Sequence, residues 1–117
     1  MSKYKIIKVG KIIDGNGSTP IDNGVIVIED NKILKVGTHK DIKIDQYKNH
    51  ELIDLGSDVS AMPGMMDCHI HLCMYNNLTF KNYRVAQWEI TPELQQMYML
   101  FHAQLCLDRG MTTLRDL

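Results

Sequence analysis

Apolar positions fall in two different rhythms along the chain. Through the first sixty residues they come in short clusters rich in Ile and Val, broken by Gly, Asn and Asp. That is the pattern of β-strands joined by turns. Tyr4 to Ile13 reads as one strand and ends at the turn cluster Asp14-Gly15-Asn16-Gly17-Ser18. Val25-Ile26-Val27-Ile28 and Ile33-Leu34-Lys35-Val36 flank Glu29-Asp30-Asn31-Lys32. Asp30 and Asn31 tolerate positive φ, so the spacing predicts a tight hairpin. Gly37 ends its second arm. Lys40 to Asn49 is polar and reads as a loop or a short helical turn. Glu51 to Leu55 is a further short strand, and Gly56-Ser57-Asp58 turns the chain.

The rhythm changes after Pro63-Gly64. Met65 to Leu72 is a short, mostly apolar run, as expected of a strand covered on both faces. Asn76 to Glu89 shows no clear period and reads as a loop with room for one helical turn. Thr91-Pro92-Glu93 is a helix start, with Thr at the N-cap, Pro at the first helical position and an acid in the first turn. Leu94, Met97, Tyr98, Phe101 and Leu105 then keep helical spacing. Arg109 falls in the last turn, and Gly110 suits the left-handed position that ends a helix. Met111 to Arg115 is β-prone. Strand, long connection, helix, strand is a βαβ unit, which predicts parallel strands and a right-handed crossover. The expected fold class is mixed α/β: a small β-domain over residues 1–60, then the βαβ unit over 61–117.

Composition narrows the class. The chain has 117 residues, 44% of them hydrophobic and 23% charged, with a formal net charge of −1. It reads as globular, without the basic excess that would suggest nucleic acid. The lysines between Lys32 and Lys48 alternate with acids, as on a solvated face. No apolar run approaches a membrane span, and Met1 to Ile13 is too polar for a secretory leader. Cys68, Cys73 and Cys106 cannot all pair within one chain, and an extended Cys68–Cys73 segment would hold its ends too far apart for a disulfide. These features suit a reducing, cytoplasmic setting.

Chemistry concentrates in Asp67-Cys68-His69-Ile70-His71. Side chains alternate along a strand, so His69 and His71 share a face, Asp67 joins them, and Cys68 and Ile70 take the other. Neutral imidazole is a common ligand for zinc and similar metals. A metal-free reading makes both histidines hydrogen-bonded core residues. A separate zinc site with Cys68 and Cys73 lacks the usual ligand spacings. Cys106 is expected to be a small buried helix residue, and His102, Met97 and Met99 packing residues. His39 and His50 are expected to be exposed. Arg115 and Asp116 would bind substrate at a strand end or form a structural ion pair.

The run Met62-Pro63-Gly64-Met65-Met66-Asp67-Cys68-His69-Ile70-His71-Leu72 resembles the first-strand signature of the amidohydrolase superfamily of metal-dependent hydrolases. Gly110-Met111-Thr112-Thr113-Leu114-Arg115-Asp116 resembles the second-strand signature of its imidazolonepropionase-like and dipeptidase-like branch. The hairpin around Glu29 to Ile33, with Val36-Gly37 after it, resembles the small β-domain that precedes the barrel there. The resemblance covers nearly the whole chain. It implies a TIM (β/α)8 barrel, begun here by its first βαβ unit, and hydrolysis of an amide or other C–N bond by a metal-activated water. It also implies a divalent metal, zinc foremost, as one or two ions in the complete enzyme.

His69 and His71 match the family's two first-strand metal ligands, with Asp67 as the carboxylate that orients a ligand. The family takes a lysine, two more histidines and a catalytic aspartate from later strands, and none of those positions has a counterpart here. Asp116 matches the second-strand motif and not that aspartate, so no catalytic residue is assigned. A full barrel takes about 250 residues, and roughly fifty follow the β-domain here, room for two strands at ordinary element lengths. The expectation is therefore an N-terminal fragment of a longer hydrolase, inactive alone, whose complete form takes a small-molecule amide or peptide-like substrate. Neither nucleic acid nor membrane is expected as a partner, but association through unpaired barrel edges is. The alternative is a non-catalytic metal-binding or partner-binding module.

Overall fold

A computed structural model describes residues 3–74 and 90–117. The chain forms two compact units, Met1–Pro63 and Gly64–Leu117. The loop expected over Asn76 to Glu89 lies outside the described residues.

The first unit is a sheet built on its opening strand. β1 (Tyr4–Ile12) pairs antiparallel with β2 (Ile21–Glu29), and β2 with β3 (Lys32–Thr38). On its other side β1 pairs in parallel with β4 (Glu51–Asp54) and then β5 (Ser60–Ala61). The order is β3-β2-β1-β4, with β5 continuing the β4 side. β2 starts at Ile21, earlier than its apolar cluster suggests, because Asp22 and Ile21 complete the ladder with Lys11 and Ile12. In the β2–β3 turn Asp30 alone takes positive φ, at 54°; Asn31 does not. Leu34 is skipped between the pairs Val27↔Lys35 and Ile28↔Ile33, a bulge in an edge strand.

The core lies on this sheet. Ile6 and its cross-strand partner Val27 are fully buried, as are Val25 and Ile42. Ile42 arrives from the β3–β4 connection. The Thr38 hydroxyl donates to the Asp41 carboxylate at 2.5 Å, and the Asp41 and Ile42 N–H groups both donate to the Thr38 carbonyl at 3.1 Å. That turn drops Ile42 onto the strands, and Ile44 and Tyr47 pack beside it. The polar stretch after Lys40 is thus a turn with one 3-10 segment, Ile44–Gln46. His50 is half-buried rather than exposed, its Nδ1 lying 2.7 Å from the Tyr47 carbonyl; His39 is exposed.

The second unit contains β6 (Met65–Ile70), α1 (Pro92–Asp108) and β7 (Met111–Asp116). β6 and β7 pair in parallel. The Thr91 hydroxyl accepts from the Leu94 N–H at 3.4 Å, and Pro92 occupies the first turn. Gly110, with φ of 85°, ends the helix in the left-handed region, where a side chain is disfavoured. Most periodic apolar positions of α1 are exposed, Met97 at 65% and Phe101 at 63%, whereas Tyr98 is half-buried. Met97 and Met99 are therefore surface residues rather than packing, and Cys106 is half-buried. The chain as described is mixed α/β with a sheet-rich first unit.

Candidate metal centre

β6 does not run straight through its histidines. Asp67 pairs with Leu114 and Ile70 with Asp116, three residues against two, so β6 carries one extra residue. A bulge of this kind re-aims side chains. Its local cause is visible: the Asp67 carboxylate accepts from the backbone N–H of His69 at 3.0 Å. Asp readily bonds the N–H two residues on. Asp67 thus shapes the backbone that carries His69, and its recorded bond is not to an imidazole.

The strand stops at Ile70, and His71 lies just past it. Strand alternation alone does not set the His71 direction. The Leu117 N–H donates to the Ile70 carbonyl at 3.1 Å. His71 Nδ1 sits 2.6 Å from the Leu117 backbone oxygen. That oxygen accepts, so Nδ1 donates in this contact, and a neutral ring would then present its lone pair at Nε2. His69 Nε2 lies 3.3 Å from this Nε2, with ring planes at 85°. With His71 neutral, that lone pair would accept from a His69 Nε2–H.

The same separation suits a shared ion. Two nitrogens bound to a tetrahedral zinc at ~2.0–2.1 Å lie about 3.3–3.4 Å apart. His69 is exposed and His71 half-buried, so the pair is accessible. Among the described residues, no group of three or more His, Cys, Asp or Glu gathers to hold a metal. The residues fit a partial donor set of two imidazoles, where a catalytic zinc keeps three protein ligands. Cys68 is exposed, and Cys73 falls beyond the strand end, outside the reach of any strand-parity argument.

Three groups stand around this pair, and of these only Asp116 was singled out in the sequence, as a strand-end substrate or ion-pair residue. Asp116 accepts from the Leu72 N–H at 3.2 Å. His102 Nδ1 lies 2.7 Å from the Leu72 carbonyl, and its ring stacks on Tyr98 at 5.9 Å. The Leu117 backbone oxygen orients His71. The only sequence signal was the four-residue spacing of Tyr98 and His102, which places them on one helix face. The first unit has an open cavity of ≈ 440 Å³ between Lys8, Asp22, Thr38, His39, Asp54 and Ser57, with neither His69 nor His71 in its lining.

Comparison with known proteins finds similarity to parts of larger enzymes. No protein-family model matches the chain. It is 36% identical over 69 residues to a 5-methylthioadenosine/S-adenosylhomocysteine deaminase of Carboxydothermus hydrogenoformans, covering 59% of this chain and 15% of that protein. It is 34% identical over 68 residues to an imidazolonepropionase of Photobacterium profundum, covering 55% and 16%. Among solved structures, the A. niger ochratoxinase matches all of this chain and 26% of its own, at 26% identity and a TM-score of 0.77. A Xaa-Pro dipeptidase solved with methionine in its active site matches 97% of this chain and 26% of its own, at 27% identity and a TM-score of 0.76. The chain is thus similar in sequence and in fold to segments of several hydrolases that act on C–N bonds. It spans about a sixth of the curated relatives it matches, and about a quarter of the solved chains.

Proposed function

We propose that this chain forms the N-terminal part of a metal-dependent amidohydrolase, in which His69 and His71 hold a divalent ion, zinc foremost, at the end of the first strand of a (β/α)8 barrel. The observation that carries the reading is the convergence of the two Nε2 atoms, 3.3 Å apart at the C-terminal end of β6. Barrel enzymes of this class place their sites at that end of the strands. A divalent ion there supplies Lewis acidity toward a scissile carbonyl and lowers the pKa of water.

The chain's own residues prepare the site. The Leu117 backbone oxygen keeps the His71 hydrogen on Nδ1 and its Nε2 free to ligate. Asp67 fixes the backbone that aims His69. Among the described residues no group occupies the place of a proton shuttle; on this reading the 117 residues alone are inactive, and the remaining ligands and the base come from further strands. The substrate is a small amide or peptide-like molecule carrying a hydrolysable C–N bond, with no role for nucleic acid or membrane. Three unpaired cysteines suit the cytoplasm. Among the described residues, no helix is long and apolar enough to cross a membrane.

Zinc titration of the full chain by calorimetry tests the ligand roles. His69→Ala and His71→Ala should each weaken binding at least tenfold. Unchanged affinity in either variant refutes that residue's role.

A further inference from the structure

We infer that His102 is a positioning residue for the histidine pair: by holding the Leu72 carbonyl from α1, it sets the direction in which His71 leaves β6. Its metal consequence rests on the proposal that His69 and His71 bind an ion.

Leu72 lies past the end of β6 and has no ladder partner of its own. Its peptide groups are nonetheless gripped on both sides. The carbonyl meets His102 Nδ1 at 2.7 Å, and the N–H meets the Asp116 carboxylate at 3.2 Å. One grip comes from α1 and the other from β7, and both act on the residue next to His71. A carbonyl only accepts, so His102 must hold its hydrogen on Nδ1. Its ring plane is set by Tyr98, stacked at 16° one helical turn earlier, and by Phe101 at 5.6 Å.

Packing alone would need the bulk of this ring but not its donor. The His102 bond fixes the rotation of the Leu72–Cys73 peptide and the Asp116 bond that of the His71–Leu72 peptide, so the two together set the Leu72 backbone through which the chain leaves His71. A pair of nitrogens spaced 3.3 Å apart tolerates little drift. Outer partners of metal-binding histidines are typically worth 10–100-fold in metal affinity.

The test uses the full chain, first without metal. Ring-nitrogen NMR should show both His71 and His102 as Nδ1–H tautomers. In His102→Leu, which keeps bulk without a donor, the His71 ring should lose its single-tautomer signature, and zinc affinity should fall about tenfold or more. His102→Asn, which returns an amide donor near the Nδ1 position, should restore most of both. The inference is overturned if the His71 signature and zinc affinity survive His102→Leu, or if His102→Asn behaves like His102→Leu. Should His102→Leu fail to fold, the wild-type spectrum decides: an Nε2–H or averaging His102 overturns it. A wild-type chain that binds no zinc, yet whose His71 signature still responds to His102→Leu, refutes the metal reading and upholds the positioning role.

Discussion

A hydrogen on Cα is all that separates Gly64 from the Thr112 side chain, where any Cβ would overlap its hydroxyl and methyl groups. Gly10 is tighter still, because a Cβ there would strike the Ser57 backbone carbonyl. A side chain can rotate away, whereas a carbonyl moves only with its loop. Gly64→Ala should therefore cost about 1–3 kcal/mol, and Gly10→Ala more, as read by urea denaturation followed at residues of each unit. At this scale the sequence was informative about which histidines approach one another and silent on how. His69 and His71 do converge, but the alternation invoked for them is broken by the Asp67 turn and ends at Ile70. Whether the Asp67 turn becomes a bulge depends on pairing with a strand some forty-six residues away, which no local pattern encodes. For the same reason Asp116 and His102 read as a strand-end acid and a packing residue.

Among the elements, β1 is the most heavily tied, by ion pairs as well as by backbone bonds. Lys8 reaches Asp54 at 2.8 Å, Lys5 reaches Glu51 and Lys11 reaches Asp22 at 3.6 Å, and each pair stands directly opposite in the strand register. Lys3 closes the row on Glu29 at 2.6 Å. The Lys8 ammonium and the Gly56 N–H hold the Asp54 carboxyl below its ordinary pKa, and Lys3 does the same for Glu29. A carboxylate with a lowered folded pKa stabilises fully above its unfolded value of about 4 and loses that contribution as pH falls through the folded value. The urea midpoint of the first unit should therefore drop on acidification below about pH 4, less steeply in high salt and in Asp54→Asn. An identical slope in that variant would remove Asp54 from the account. In α1, Thr91→Ala should cost about 1 kcal/mol of helix stability, checked by denaturation monitored at 222 nm. Helix limits were legible because caps are local. β5, only two residues long, was not, because Ser60 and Ala61 become a strand solely by lying against Lys11 and Ile12.

Over the whole molecule, stability is unevenly spread. All six buried apolar residues among those described, Ile6, Val9, Ile12, Val25, Val27 and Ile42, belong to the first unit. The second has ordered strands and a capped helix but, among the described residues, no buried core residue of its own, and Leu100 is 71% exposed. Amide exchange should accordingly be slowest in β1 and β2 and fastest in β6, β7 and α1; equal protection in both units would contradict this. The exposed face of α1 should also make sedimentation concentration-dependent, with a strictly monomeric profile the contrary result. Helical periodicity revealed that α1 has an apolar stripe, yet periodicity cannot report whether a stripe is covered. One consequence concerns the order of events at the ribosome. β1 is made before its partners and meets β2 within a local hairpin, but its other flank stays open until β4 and β5 have been made, and non-local parallel pairing of that sort is slow to close. The earliest strand of this sheet is thus the last to be enclosed on both sides, and its unguarded flank is where a chaperone would find purchase.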